Sequence, residues 1–187
     1  ANRNSLQEFL DRLIPTAKRK KEEFAFLFLD LDHFKTINDS LGHNIGDELL
    51  QKISGILKKV LRPNDFIARV GGDEFVLIIQ DYKSNLELTN IIKRVQKQLS
   101  KPWVIQTHPV ETTCSIGIAI FPQDGKDQIS LMKSADIAMY EAKKHGRNQY
   151  HFFTKELNDK LLKIINLNKQ MRIALKNGDY QLFYQPK

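Results

Sequence analysis

Six consecutive apolar residues, Phe24-Ala25-Phe26-Leu27-Phe28-Leu29, run without interruption into Asp30-Leu31-Asp32. The run is far too short for a membrane span and lacks the alternation of a half-exposed strand, so it reads as a strand covered on both faces. Such a strand needs helices on either side of its sheet, and amphipathic segments are available to supply them. Leu6, Phe9, Leu10, Leu13 and Ile14 fall at helical spacing in a helix expected over residues 6–23. After a polar loop expected from Lys35 to Gly46, a second helix begins near Asp47. It lines up Leu49, Leu50, Ile53, Ile56, Leu57, Val60 and Leu61 and is broken by Arg62-Pro63-Asn64-Asp65.

Two apolar segments, Phe66–Val70 and Phe75–Ile79, flank Gly71-Gly72-Asp73-Glu74, the pattern of a hairpin whose glycines take positive φ. Leu86–Leu99 reads as a helix ended before Pro102, Trp103–Ile105 and Thr112–Ile120 as strands, Gln128–Lys144 as a helix stopped by Gly146, and Tyr150–Phe153 as a last strand. In the 112–120 strand, Ser115, Gly117 and Ala119 present a face of small side chains on which a helix can pack closely. Helices alternating with strands and hairpins predict an α+β fold with a mixed, largely antiparallel central sheet flanked by helices. A domain is expected over residues 1–154, with a helical appendage over 155–187.

Composition narrows the function classes. The mean hydropathy is −0.41 and no long uncharged apolar run occurs, so no membrane contact is expected of this segment. Residues 1–23 are polar and mixed in charge, unlike a signal peptide, and the single cysteine, Cys114, excludes an internal disulfide or a Cys-rich metal site. A cytoplasmic location is expected. Of the net charge of +7, residues 155–187 carry +4, with seven Lys or Arg against three acids. The basic excess thus lies on a helix face rather than on the main domain, and no nucleic-acid partner is expected.

Asp30 closes the central strand, and Asp73 and Glu74 occupy the hairpin tip, a placement that gathers carboxylates at one edge of a sheet. Like charges there repel unless a cation neutralises them; hard oxygen donors suit Mg²⁺, which leaves positions open for phosphate oxygens and so implies a nucleoside triphosphate. Taken alone, the hairpin is also a plain solvated turn and Asp30 also a cap.

Taken together, Asp30-Leu31-Asp32-His33-Phe34-Lys35-Thr36-Ile37-Asn38-Asp39, Gly42-His43, Gly46-Asp47 and Arg69-Val70-Gly71-Gly72-Asp73-Glu74-Phe75 resemble the GGDEF family of diguanylate cyclases. Tyr140-Glu141-Ala142-Lys143-Lys144-His145-Gly146-Arg147-Asn148 is similar to that family's C-terminal signature. The resemblance covers residues 2–153 and implies a palm-like fold shared with nucleotidyl cyclases and polymerases. It implies condensation of two GTP into cyclic di-GMP, with one GTP per chain in a transient homodimer and Mg²⁺ or Mn²⁺ as cofactor.

By the same resemblance, Asp30, the Leu31 carbonyl, Asp73 and Glu74 hold the metal, and Asp73 or Glu74 assists the 3′-hydroxyl. Gly71 and Gly72 admit the triphosphate to the backbone. Asn38 and Asp47 read guanine with His43 and Phe34 nearby, and Lys35, Lys143 and Arg147 meet phosphate. Asp32, Asp39, Cys114 and Trp103 are read as structural.

Arg62-Pro63-Asn64-Asp65 is by its residues a helix-ending turn; in the family an Arg-x-x-Asp at this spacing is the product-inhibition site, which assigns Arg62 and Asp65 to bound cyclic di-GMP. Asn2-Arg3 resembles the close of the family's opening segment. Lys169–Leu175 and Tyr180–Pro186 resemble the start of an EAL phosphodiesterase domain, which implies a tandem parent. A different reading of the same motifs is a non-catalytic module that binds GTP or cyclic di-GMP and regulates an attached EAL domain.

Overall fold

Every position of β1 (Phe24–Leu31) is buried, as an unbroken apolar run requires. The structure, a computed structural model, describes residues 1–181, 183 and 184. β1 is paired antiparallel on one side with β3 (Glu74–Ile79) and on the other with β6 (Cys114–Phe121). β2 (Phe66–Gly71) extends the sheet beyond β3, and β7 (Tyr150–Phe152) adds, on β6, the sole parallel pairing among the described residues. The order is β2-β3-β1-β6-β7, so the mixed, mostly antiparallel α+β sheet is as expected.

Alternation along β1 splits the core in two. Leu27, Leu29 and Leu31 point to one face, where α3 (His43–Val60) and α4 (Asn85–Leu99) bury Leu49, Ile53, Leu57, Leu88, Ile92 and Val95 against them. Phe24, Phe26 and Phe28 point to the other, under α1 (Arg3–Lys20) and α5 (Gln128–Lys144). Each buried Leu or Phe contributes about 1.5–3 kcal/mol, so the two layers hold the sheet from both sides.

α5 lies directly on β6. A Cβ at Gly117 would fall 1.8 Å from the Ala135 carbonyl oxygen and 2.3 Å from the Met139 nitrogen, both backbone atoms that cannot swing aside. Gly117→Ala should therefore cost about 3 kcal/mol of stability. Thermal unfolding of the variant checks this, and an unchanged Tm would contradict the contact.

Three expectations need correction. The polar loop from Lys35 to Gly46 is instead α2 (Phe34–Leu41) followed at once by the first turn of α3. Its Asn, Asp and Gly content conceals an apolar stripe, in which Phe34 and Ile45 are buried and Ile37 and Leu41 pack beside them. α1 begins at Arg3 because the Asn2 side chain accepts from the Ser5 N–H, and it ends at Lys20 because Lys21 is left-handed. A strand pair of β4 (Trp103–Ile105) and β5 (His108–Val110) was half-legible, since Pro109 disguises β5.

Residues Ala1–Phe153 form one compact unit, and a second unit begins at Thr154. The second is built on α6 (Lys155–Asn177), capped by the Thr154 side chain and ended by left-handed Gly178. None of its described residues is buried, and Leu162, Ile165, Met171 and Leu175 are exposed. Leu182, Gln185 and Pro186 of the EAL-like segment lie outside the described residues. No helix among the described residues is long and apolar enough to cross a membrane.

Candidate active site

The β1–β3 register places Asp30 opposite Glu74, and Asp73 precedes Glu74 in the turn, so the three acids meet at one sheet edge. Arg69 tightens that turn by donating from Nε to the Gly72 carbonyl oxygen at 2.8 Å, and Gly72 takes φ +39°. Nothing lies within 4 Å of a Cβ built on Gly72, and only Glu74 Oε2, at 3.6 Å, approaches one built on Gly71. The glycines therefore front open space.

Lys143, near the end of α5, places Nζ 2.8 Å from Asp30 Oδ1. Burial pushes the Asp30 carboxyl up; Lys143 draws it back down, while Asp73 and Asp32 push it further up. Glu74 is raised by burial first, then by Asp30 and Asp73. These acids thus crowd negative charge at one place, with the Lys143 ammonium paired to Asp30. No closed set of three or more His, Cys, Asp or Glu ligands exists among the described residues. Mg²⁺ needs none, because one or two carboxylates with substrate phosphates and water complete its shell. The donor set fits that ion.

Gly46 lets α2 and α3 meet: its Cβ would fall 1.9 Å from Asn38 Oδ1 and 3.1 Å from Phe34 Cζ. Asn38 is thereby seated against the residue that precedes Asp47. Its Oδ1 is buried without a hydrogen-bond partner, whereas His43, Lys35 and Asp47 are exposed. Phe34 is 6% exposed and its side chain belongs to the core. Arg147 lies in the turn after α5 with φ +63°, and its N–H donates to the Ala142 carbonyl oxygen at 3.2 Å.

Arg62 and Asp65 stand apart from this group, at the other end of β3, about 20 Å along a six-residue strand. Both have partners. Asp65 Oδ2 accepts from the Arg62 N–H at 2.9 Å and Oδ1 from the Gln80 N–H at 3.3 Å, while Arg62 Nη2 meets Glu87 Oε1 at 2.5 Å. Glu87 also accepts from the Lys83 N–H at 2.7 Å.

Two residues were not singled out by the sequence. Asp136 lines, with Glu74, Phe28, Val70, Met132 and Arg3, a cavity of about 490 Å³, and its charge helps raise the Glu74 carboxyl. Its place seven residues before Lys143 on α5 was the available signal. Glu87 stands three residues after Ser84, the spacing of a helix-capping pair.

With this geometry in view, the comparisons are unambiguous about family. The model "Diguanylate cyclase, GGDEF domain" matches residues 1–149, and the chain belongs to the GGDEF-domain family. Over 186 residues, all of this chain, it is 41% identical to the bifunctional diguanylate cyclase/cyclic di-GMP phosphodiesterase MucR of Pseudomonas aeruginosa, but it spans 27% of that protein's length. The crystal structure of the GGDEF domain of TpbB from the same organism superposes with a TM-score of 0.79 at 34% identity, covering 82% of this chain and 96% of that one. The GGDEF domain of DgcB from Caulobacter crescentus, in complex with c-di-GMP, gives 0.74 at 29% identity, covering 81% and 90%.

Proposed function

We propose that the chain is a diguanylate cyclase domain. Two GTP molecules, one per chain, are condensed when the 3′-oxygen of each attacks the α-phosphorus of the other. Two 3′-O–P bonds form as the two Pα–O–Pβ bonds break, each 3′-hydroxyl gives up its proton with Asp73 or Glu74 assisting, two pyrophosphates leave, and cyclic di-GMP results. The observation that carries this reading is the gathering of Asp30, Asp73 and Glu74 at one end of the sheet beside an open two-glycine turn, with Lys143 Nζ 2.8 Å from Asp30.

Asp30, the Leu31 carbonyl and Asp73, with Glu74 beside them, would hold Mg²⁺ or Mn²⁺, which supplies positive charge for the triphosphate. The Gly71-Gly72 turn admits phosphate to the backbone, and Lys35, Lys143 and Arg147 offer cationic donors to it. Asn38 and Asp47 select guanine. Neither chain holds both reacting nucleotides, so a homodimer must bring two sites face to face, which aligns the 3′-hydroxyls. A calorimetric titration with a non-hydrolysable GTP analogue tests the site: one analogue per chain is expected, bound more tightly with Mg²⁺ than without. Binding indifferent to Mg²⁺ would overturn the assignment.

Arg62 and Asp65 are proposed as the product-inhibition site, a reading supported by their spacing from the hairpin and by the c-di-GMP complex of DgcB. Arg62 can give guanine O6 and N7 a bidentate contact, but it must first leave Glu87. From this distance product can restrain catalysis only by biasing the arrangement of two chains. Arg62→Ala should weaken cyclic di-GMP binding roughly tenfold or more, as expected for loss of a charge-assisted contact, with GTP affinity unchanged. Equal product binding by wild type and variant would leave the segment an ordinary turn.

A further inference from the structure

We infer that Asp32 is a positioning residue that ties the phosphate-contact turn of Arg147 to the metal-binding end of β1. Asp32 is 1% exposed, and no ion pair neutralises it among the described residues. A buried carboxylate without a cation is retained against a steep desolvation cost only when its oxygens are well satisfied. Three donors do so: Thr113 Oγ1 at 2.6 Å and the Asn148 N–H at 3.0 Å to Oδ2, and Ser115 Oγ at 2.7 Å to Oδ1. Its backbone is pinned as well, the N–H donating to the Thr113 carbonyl oxygen at 2.9 Å and the carbonyl accepting from Thr112 Oγ1 at 3.0 Å.

The Asn148 bond is the one that reaches beyond the sheet. Arg147 and Asn148 have φ of +63° and +48°, a left-handed pair that non-glycine residues adopt rarely and that the surroundings must hold in place. The clamp grips the residue directly after Arg147, and it springs from the second residue after Asp30. One short, rigid segment therefore sets both the metal-binding acid and the base of the phosphate-binding guanidinium.

A second polar tie between this end of β1 and the α5 region is the Lys143–Asp30 ion pair. It must loosen when Asp30 turns to a cation and Lys143 to phosphate. The Asp32 tie uses no group that meets substrate, so it persists through binding and keeps Arg147 in register.

This inference rests on the reading of Arg147 as a triphosphate contact, and the experiment separates the two. Affinity for the non-hydrolysable GTP analogue with Mg²⁺ is measured for the full chain, Asp32→Asn, Arg147→Ala and the double variant, with thermal unfolding recorded for each. Arg147→Ala should bind about tenfold more weakly, the loss of one hydrogen bond to a charged group, and Asp32→Asn nearly as much. The double variant should be no weaker than Arg147→Ala, because Asp32 acts through that side chain.

Should Asp32→Asn fail to fold, Thr113→Val keeps the carboxylate, removes one of its anchors, and should give a smaller loss with the same non-additivity. Losses that add in full would overturn the inference by making Asp32 a general support. Wild-type affinity in Arg147→Ala would overturn the triphosphate reading, and the inference with it. Wild-type affinity in both folded variants at Asp32 and Thr113, beside a weakened Arg147→Ala, would overturn the inference alone.

Discussion

Asp73→Asn should lower cyclase turnover by roughly a thousandfold or more, the scale on which removing one well-placed electrostatic group acts. The carboxylate is one of three that meet at the sheet edge, and it pushes up both the Asp30 and Glu74 carboxyls. Its negative charge is therefore unfavourable to the empty site and useful only when a cation is bound. Asp73 belongs to neither core cluster, so the fold should survive and the Tm should stay level or rise slightly. Turnover and unfolding measured on one preparation decide it. Retained turnover with an unchanged Mg²⁺ requirement would contradict the assignment.

Removing one of the two groups proposed to read guanine should be nearly as severe for selectivity. Asn38 Oδ1 is a buried acceptor without a partner, held in place because Gly46 leaves room for it. Guanine offers N–H donors at N1 and N2, whereas adenine has neither and carries an amino donor where guanine has O6. A site with unpaired polar groups rejects the ligand that cannot pair them. Asp47→Ala should thus reduce the preference for GTP over ATP by about a hundredfold, within the range for sites that read hydrogen bonds. Asp47 is exposed, so its loss should leave folding intact. Competition binding of the two nucleotides measures the effect; an equal weakening of both would remove Asp47 from base recognition.

The β1 run, the hairpin and the helix faces were legible because each carries its own periodicity and is buried as that periodicity demands. α2 was not, because its apolar residues are interleaved with Asn, Asp and Ser that serve the opposite face. The acids Asp30, Asp73 and Glu74 stood out from motif spacing, whereas Asp32 beside them is read as structural with no partner in view. Its partners, Thr113, Ser115 and Asn148, are more than eighty residues away, and only the fold brings them to one carboxylate. The same holds for Glu87 beside Arg62 and for Asp136 beside Glu74, pairings made by helices packing on a sheet. Local pattern reveals an element and its faces; which polar group answers which is settled by tertiary packing.

The most direct test of the cyclase reading is the product formed from GTP and Mg²⁺ by this chain over a range of protein concentrations, with pyrophosphate counted alongside. The account predicts cyclic di-GMP with two pyrophosphates released per molecule, at a rate per chain that rises with protein concentration as two half-sites find each other. Tight, Mg²⁺-dependent GTP binding with no cyclic di-GMP at any concentration would contradict it and make the domain a binding module instead.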